Sequence, residues 1–247
     1  MSIRHITPAP RLRNPHPLVF GHRGARGHAP ENTLLGIETG IRLGADWIEV
    51  DVHLNGGRPV LMHDMTLDRS TNGRGRVAEV TPDYLDALDA GRGQHVPTVQ
   101  QAIECIDRRA GLNLELKARG LAEVIVHQIR HAVQVLGWDW SEILVSSFDL
   151  HELRQVKALE PRIAVGALYC GVPLDYAASA EALGAVSVHL SHEFLAPNLL
   201  ADARARGLAI YVYTVNQPEE IERLRALGVD GLFTDYPERV AVLDRVA

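Results

Sequence analysis

Short apolar runs of strand type alternate with helix-type segments from residue 18 to near the end of the chain. No other feature narrows the possible folds as much. The strand-type runs fall at 18–21, 46–53, 58–63, 112–116, 143–147, 163–169, 185–190, 209–214 and 231–234. Between them lie helix-type segments at 31–43, 99–109, 121–136, 150–159, 176–183, 197–206, 218–227 and 237–246. Pro30 opens the first helix and Gly44 stops it, and Gly137 closes a later one. Asn55-Gly56-Gly57 predicts a hairpin between the second and third strands. With that hairpin counted as an elaboration, the chain holds eight β/α units. Such alternation implies a parallel sheet, and eight units in 247 residues favour a closed α/β architecture, the (β/α)8 or TIM barrel. An open doubly wound sheet is the alternative.

The rhythm breaks once. Residues 64–96 are rich in glycine and charge, with a short helix expected at 82–88. They read as a small insertion after the second strand that sits over the barrel mouth. Residues 1–17 carry Arg4, Arg11, Arg13 and four prolines and read as an N-terminal lead, leaving 18–247 as a single domain. That lead has no apolar core of the kind a secretory signal needs, and no run reaches the ~18 apolar residues of a membrane span. A cytoplasmic protein with no membrane span is therefore expected. The net charge of −6 argues against nucleic-acid binding. Cys105 and Cys170, the only cysteines, form no metal motif and are expected to be reduced, partly buried thiols.

Chemistry concentrates where barrel strands end, which is where such folds place active groups. Glu49 and Asp51 lie two apart on one strand and share a face, as do Glu115 and Lys117 on the next. Burying such charges is costly unless they are paired or hold a cation. Glu49, Asp51 and Glu115 offer the oxygen ligands that Mg²⁺ or Ca²⁺ prefers, and no thiolate set competes. The plainer alternative is that each carboxylate pairs with Arg23 or Lys117. Those two cations also suit phosphate oxygens, Arg as a fork and Lys as a point charge. His22 and His63 suit acid/base work near neutral pH, with rim hydrogen bonding or metal ligation as their other readings. His53, at the same two-residue step as the acidic pair, is a further candidate for the mouth, and His189 and His192 are weaker ones. Ser147, Phe148, Tyr213, Thr214 and Asn216 also fall at strand ends.

Several segments then match one family in order. Gly21-His22-Arg23-Gly24 with Pro30-Glu31-Asn32-Thr33 resembles the opening signature of glycerophosphodiester phosphodiesterases. The likeness continues through Ile48-Glu49-Val50-Asp51-Val52, through His63-Asp64-Met65-Thr66-Leu67-Asp68-Arg69 with Thr71-Asn72-Gly73, and through Glu115-Leu116-Lys117. It extends over Ser146-Ser147-Phe148, Tyr213-Thr214-Val215-Asn216 and Gly228-Val229-Asp230-Gly231 to Thr234-Asp235-Tyr236-Pro237. It covers about residues 18–240, and the joint pattern is far more specific than any one block.

The resemblance implies a TIM barrel that hydrolyses glycerophosphodiesters, small-molecule substrates, to an alcohol and sn-glycerol 3-phosphate. It implies a divalent metal at Glu49, Asp51 and Glu115, and His22 and His63 as the acid/base pair. Arg23 and Lys117 would hold the phosphate, with Phe148 and Tyr213 beside the substrate. The segment after His63 would help shape the pocket. Tyr213 stands where the family usually has Trp, and Arg26-Gly27 adds an unusual basic turn. Glu31 and Asn32 read as a helix start, Asn32 orienting loop groups. Two other readings stand beside this one: a lysophospholipase D-like phosphodiesterase, and a barrel that binds phosphodiesters without cleaving them. The alcohol group, the choice between Mg²⁺ and Ca²⁺, the nucleophile and the oligomeric state are not legible.

Overall fold

The computed structural model describes residues 17–241. The expected N-terminal lead up to residue 16 and the last turns expected in the final helix, 242–246, lie outside the described residues. Eight parallel strands close into a barrel: β1 (Leu18–Gly21), β2 (Trp47–Asn55), β4 (Gly111–Leu116), β5 (Ile143–Ser147), β6 (Ala164–Tyr169), β7 (Ser187–Ser191), β8 (Ala209–Tyr213) and β9 (Gly231–Thr234). Closure is made by β1, which pairs with β9 on one side and β2 on the other; Phe20 stands opposite both Phe233 and Trp47. The ninth strand, β3 (Arg58–Leu61), is antiparallel to β2 and makes the expected hairpin. The fold is the closed barrel that the alternation implied, and the open sheet is excluded.

Successive strand residues alternate between the inside and the outside of the barrel, so residues two apart share a side. On β2, Ile48, Val50 and Val52 join the apolar layer under the helices. Trp47, on the opposite face, joins Phe20, Leu144, Tyr211 and Phe233 in an interior cluster, where Phe20 and Phe233 stack at 4.5 Å. This largely aromatic cluster fills the barrel, so Glu49 and Asp51 sit over packed side chains rather than in a pore.

Helices α1 (Leu34–Arg42), α3 (Val99–Ile106), α4 (Ala122–Val135), α5 (Leu150–Leu159), α6 (Ala178–Leu183), α7 (Pro197–Ala205), α8 (Pro218–Ala226) and α9 (Pro237–Ala241) link the strands, with α2 (Pro82–Asp86) in the 64–96 segment. Most bounds fall within two or three residues of expectation. Two differ for identifiable reasons. Helix α1 starts at Leu34, not at residue 31, because Thr33 caps it and Asn32 takes a left-handed φ of 55°. Helix α3 stops at Ile106, not at 109, because Asp107 and Arg108 turn left-handed, with φ of 45° and 57°. The 64–96 segment packs Leu67, Val77, Leu85 and Leu88 into an apolar cluster with Val60 of β3. Cys105 is half-buried as expected, but Cys170 is exposed, since it stands in the loop beyond β6.

Candidate active site

The C-terminal ends of β1, β2 and β4 bring five charged side chains together. Ligand atoms of Glu49, Asp51 and Glu115 all lie within 4.8 Å of one another, and all three residues are buried. Arg23 Nε is 3.2 Å from Asp51 Oδ2. Lys117 Nζ is 3.1 Å from Asp51 Oδ1 and also contacts Glu115 Oε1. Asn32 donates from Nδ2 to Asp51 Oδ2 at 2.8 Å and accepts the Asp51 backbone N–H at 3.0 Å. That reciprocal pair accounts for the left-handed backbone at Asn32. Asn32, expected to orient loop groups, meets the side chain and backbone of Asp51 on β2.

The loop after β1 is tightly built. Gly24, at φ 88°, passes so close to α1 that an added Cβ would lie 2.3 Å from the carbonyl carbon of Gly36. Only glycine tolerates both the approach and the backbone angle. The turn leaves Arg23 at φ 51° with its backbone N–H donating to Glu49 Oε2 at 2.9 Å. Glu49 Oε1, by contrast, is buried without a hydrogen-bond partner.

The ionisation pattern follows from this crowding. Burial, with Asp51 and Glu115 nearby, pushes the Glu49 carboxyl well above its ordinary range. Burial and Asp51 push Glu115 up to about 7. Burial also opposes ionisation of Asp51, but Lys117 and Arg23 outweigh it and hold Asp51 below its usual value. Three buried carboxylates facing two cations leave surplus negative charge, which a divalent ion would offset. The orphaned Glu49 oxygen, the oxygen-only donor set and the two raised carboxyls all fit such an ion.

Each candidate histidine has a carboxylate behind it. His22 Nδ1 lies 2.7 Å from Asp235 Oδ1, and His63 Nδ1 lies 2.6 Å from Asp64 Oδ1. Both contacts assign the proton to Nδ1 and leave Nε2 as the working nitrogen. Arg23 Nε, 3.2 Å from His22 Nε2, fits the same tautomer. Burial lowers the pKa of both rings, most directly opposed at His22 by Asp235 and at His63 by Asp51. Asp235 is itself fixed by Asn216, whose Nδ2 donates to Asp235 Oδ2 at 2.8 Å and whose Oδ1 accepts the Asp235 N–H at 2.9 Å. Asp64 is held by Arg69, which also reaches Glu31 at 2.6 Å, and Glu31 in turn accepts from Arg23 at 2.8 Å.

A cavity of about 220 Å³ opens among these groups. His22, Arg23, Glu49, His63, Glu115, Lys117, Phe148 and Tyr213 line it, along with Thr214. Phe148 and Tyr213 meet edge to face at 6.1 Å, and Lys117 Nζ lies 5.6 Å from the Phe148 ring centre. The structure therefore brings together every site residue chosen from sequence, Asp51 joining through its ion pairs. Other candidates separate from it. His53 is buried beside the site with Nε2 on the carbonyl of His63, because its strand end is covered by the hairpin; it does not line the cavity. His192 is exposed on the turn after β7. Ser147 is structural, its hydroxyl donating to the Leu116 carbonyl. The cavity lining takes nothing from residues 64–96; that segment supports the pocket from behind, through Asp64 on His63 and through Arg69 on Glu31, the partner of Arg23. Sequence reasoning missed Asp235, placed Asn216 only among the strand-end residues, and ranked His189 as a weaker candidate for the mouth, although it is fully buried and lines the cavity. Asp235 and Asn216 stand inside quoted motifs, but nothing in their spacing reveals which side chain they meet.

A closed barrel carrying a buried tri-carboxylate cluster, two cations and two carboxylate-backed histidines defines a hydrolase site built for a charged ester. The model of the glycerophosphoryl diester phosphodiesterase family matches residues 22–239, and the chain belongs to that family. It is 35% identical to a glycerophosphodiester phosphodiesterase of Caldanaerobacter subterraneus subsp. tengcongensis, covering 92% of this chain and 98% of that one. Another from Bacillus altitudinis is 32% identical, over 90% and 95% of the two chains. Among solved structures, an Oleispira antarctica phosphodiesterase in complex with the product sn-glycerol-3-phosphate superposes with a TM-score of 0.85 at 33% identity, covering 93% of this chain and 97% of that chain.

Proposed function

We propose that this chain hydrolyses glycerophosphodiesters to an alcohol and sn-glycerol 3-phosphate, using a divalent cation and the pair His22 and His63. The observation that carries the proposal is the convergence of Glu49, Asp51 and Glu115 with two histidines whose Nδ1 atoms are each engaged by a carboxylate. A phosphodiester resists attack because its charge repels nucleophiles and its alkoxide leaves poorly. Glu49, Asp51 and Glu115 would hold the cation, with Mg²⁺ or Ca²⁺ matching the all-oxygen set. When bound, it supplies charge neutralisation at the phosphoryl oxygens and lowers the pKa of a coordinated hydroxyl.

Arg23 and Lys117 orient the phosphate from opposite sides of Asp51. One histidine, neutral, takes the proton of the attacking hydroxyl on its Nε2, while the other, entering as the imidazolium with a second proton on Nε2, gives that proton to the leaving oxygen. Asp235 and Asp64 stabilise whichever ring becomes charged. Phe148, exposed at the rim and in contact with Tyr213, offers an apolar shelf to the departing alcohol. A cytoplasmic setting belongs to the same proposal, and two unpaired cysteines suit a reducing compartment.

The test is release of glycerol 3-phosphate from glycerophosphocholine after EDTA treatment, with Mg²⁺ or Ca²⁺ restored. Metal-restored release supports the reading and ranks the ions. A folded protein that releases no product from glycerophosphocholine, glycerophosphoethanolamine or glycerophosphoglycerol with either ion refutes it.

A further inference from the structure

Beside the carboxylates and deeper in the barrel, several polar side chains lack partners: Asn113 stands opposite Glu49 and Ser146 opposite Glu115 on neighbouring strands. Both amide atoms of Asn113, the Ser146 hydroxyl and His189 Nδ1 are buried and make no hydrogen bond, as is Glu49 Oε1 beside them. Protein interiors leave few such atoms, and a cluster of them marks a place completed by water or by a ligand. Of Asn113, Ser146 and His189, only His189 lines the cavity.

The sequence makes deliberate room for this imidazole. His189 Nε2 sits 3.0 Å from the Ser187 hydroxyl, and its ring lies 5.3 Å from that of Tyr211 and 5.2 Å from that of Phe233. On the neighbouring strand stands Gly166, where an added Cβ would fall 2.3 Å from His189 Nε2. One strand thus gives up a side chain so that the next can seat a ring. Burial holds the ring neutral, with its pKa down at about 3. It offers a hydrogen bond without a charge, and its orientation is fixed by Ser187 and the flanking rings.

Its place in the cavity says what it meets. Phe148 at the rim is 43% exposed, whereas His189, Leu168 and Phe233 at the other end are 0%, 5% and 3% exposed. Arg23 and Lys117 line the same cavity, so a diester held there by its phosphate would point one substituent outward past Phe148 and the other toward the closed end. The outer one can vary in size; the inner one cannot. Resting on the glycerophosphodiesterase reading, we infer that His189 reads the terminal hydroxyl of the glycerol moiety at the closed end of the cavity. It is thereby a specificity-determining residue. A diester lacking that hydroxyl would leave the buried Nδ1 without its partner, and sites of that kind discriminate strongly.

The experiment compares choline release from glycerophosphocholine and from the same diester with the terminal hydroxyl replaced by hydrogen. It uses the wild-type chain, His189→Phe and His189→Asn. The wild type is expected to favour the glycerol diester in kcat/KM by about 10-fold or more. In His189→Phe the ratio should fall to within about threefold of one, and in His189→Asn, which returns a polar group near the Nδ1 position, it should recover. Because the ratio is taken within each variant, loss of folded protein cancels; if His189→Phe does not fold, His189→Leu replaces it. A wild-type ratio near one, or a His189→Phe ratio equal to the wild-type ratio, overturns the assignment of His189 alone. A wild type that cleaves neither diester overturns the glycerophosphodiesterase reading, and this inference with it.

Discussion

Asp235 Oδ1 stands 2.7 Å from Nδ1 of His22 although 213 residues separate them in the chain. The carboxylate lies just past β9 and the imidazole just past β1, and these two strands are hydrogen-bonded neighbours. Asp235 therefore sets the tautomer and direction of a ring at the opposite end of the sequence. Replacing it with Asn keeps the shape but removes the charge and permits the wrong tautomer. Asp235→Asn is expected to lower kcat roughly 10²-fold with little change in KM. Steady-state kinetics on a variant with a wild-type circular dichroism spectrum decides this. An unchanged kcat would make the pair structural.

The histidines themselves set a larger effect. His22→Ala and His63→Ala are each expected to lower turnover about 10²-fold or more, the usual scale of one proton-transfer group. The double variant should lose less than the product of the two, since both act in one reaction. Near wild-type rates in both single variants would remove the acid/base assignment.

Glu49 presents one oxygen to the Arg23 backbone and one to no partner. Glu49→Gln preserves the first contact in shape while removing a charged ligand. The cation concentration needed for half-maximal activity is expected to rise at least about 10-fold. A metal titration that superposes on that of the wild type would argue that Glu49 serves only to fix the loop.

His189 predicts an acid sensitivity. In the unfolded chain its ring protonates near the ordinary value of 6.5, but in the barrel only near 3. Between those values the unfolded state binds the extra proton, so stability is full above about 6.5 and falls as the pH drops toward 3. The loss approaches about 1.4 kcal/mol per pH unit in that window. His189→Asn should therefore flatten the dependence of unfolding free energy on pH below 6, measured by urea titration at several pH values. A slope equal to the wild-type slope would show that His189 is charged or exposed in the native state.

Much of the architecture is legible because period-two and helical patterns record which face of each element is buried. The strands 18–21, 143–147 and 231–234 and the helix 150–159 fall at their expected bounds. Glu49 and Asp51 share a face for the same reason. What the pattern does not carry is the conformation of single residues with left-handed backbones. Asn32 and Asp107 look helical in sequence, yet one turns to grip Asp51 and the other ends α3. Nor does it carry contacts made around the ring. Asp235 meeting His22 and Gly166 yielding to His189 depend on which strands become neighbours and in what register. His189 reads in sequence as no more than a weak candidate for the mouth until Gly166 and Phe233 are placed beside it.

Barrel closure by β1 against β9 carries a consequence for how the molecule comes into being. His22 is among the first described residues to leave the ribosome, while Asp235, the group that aims it, is among the last. Glu49, Asp51, Glu115, Arg23 and His63 all belong to the first half of the chain. A nascent or truncated chain that ends before β9 thus possesses almost the full set of reactive groups and still lacks an oriented His22. Full turnover in this fold therefore waits on β9: a copy that stops short of it carries its reactive groups without the carboxylate that aims His22.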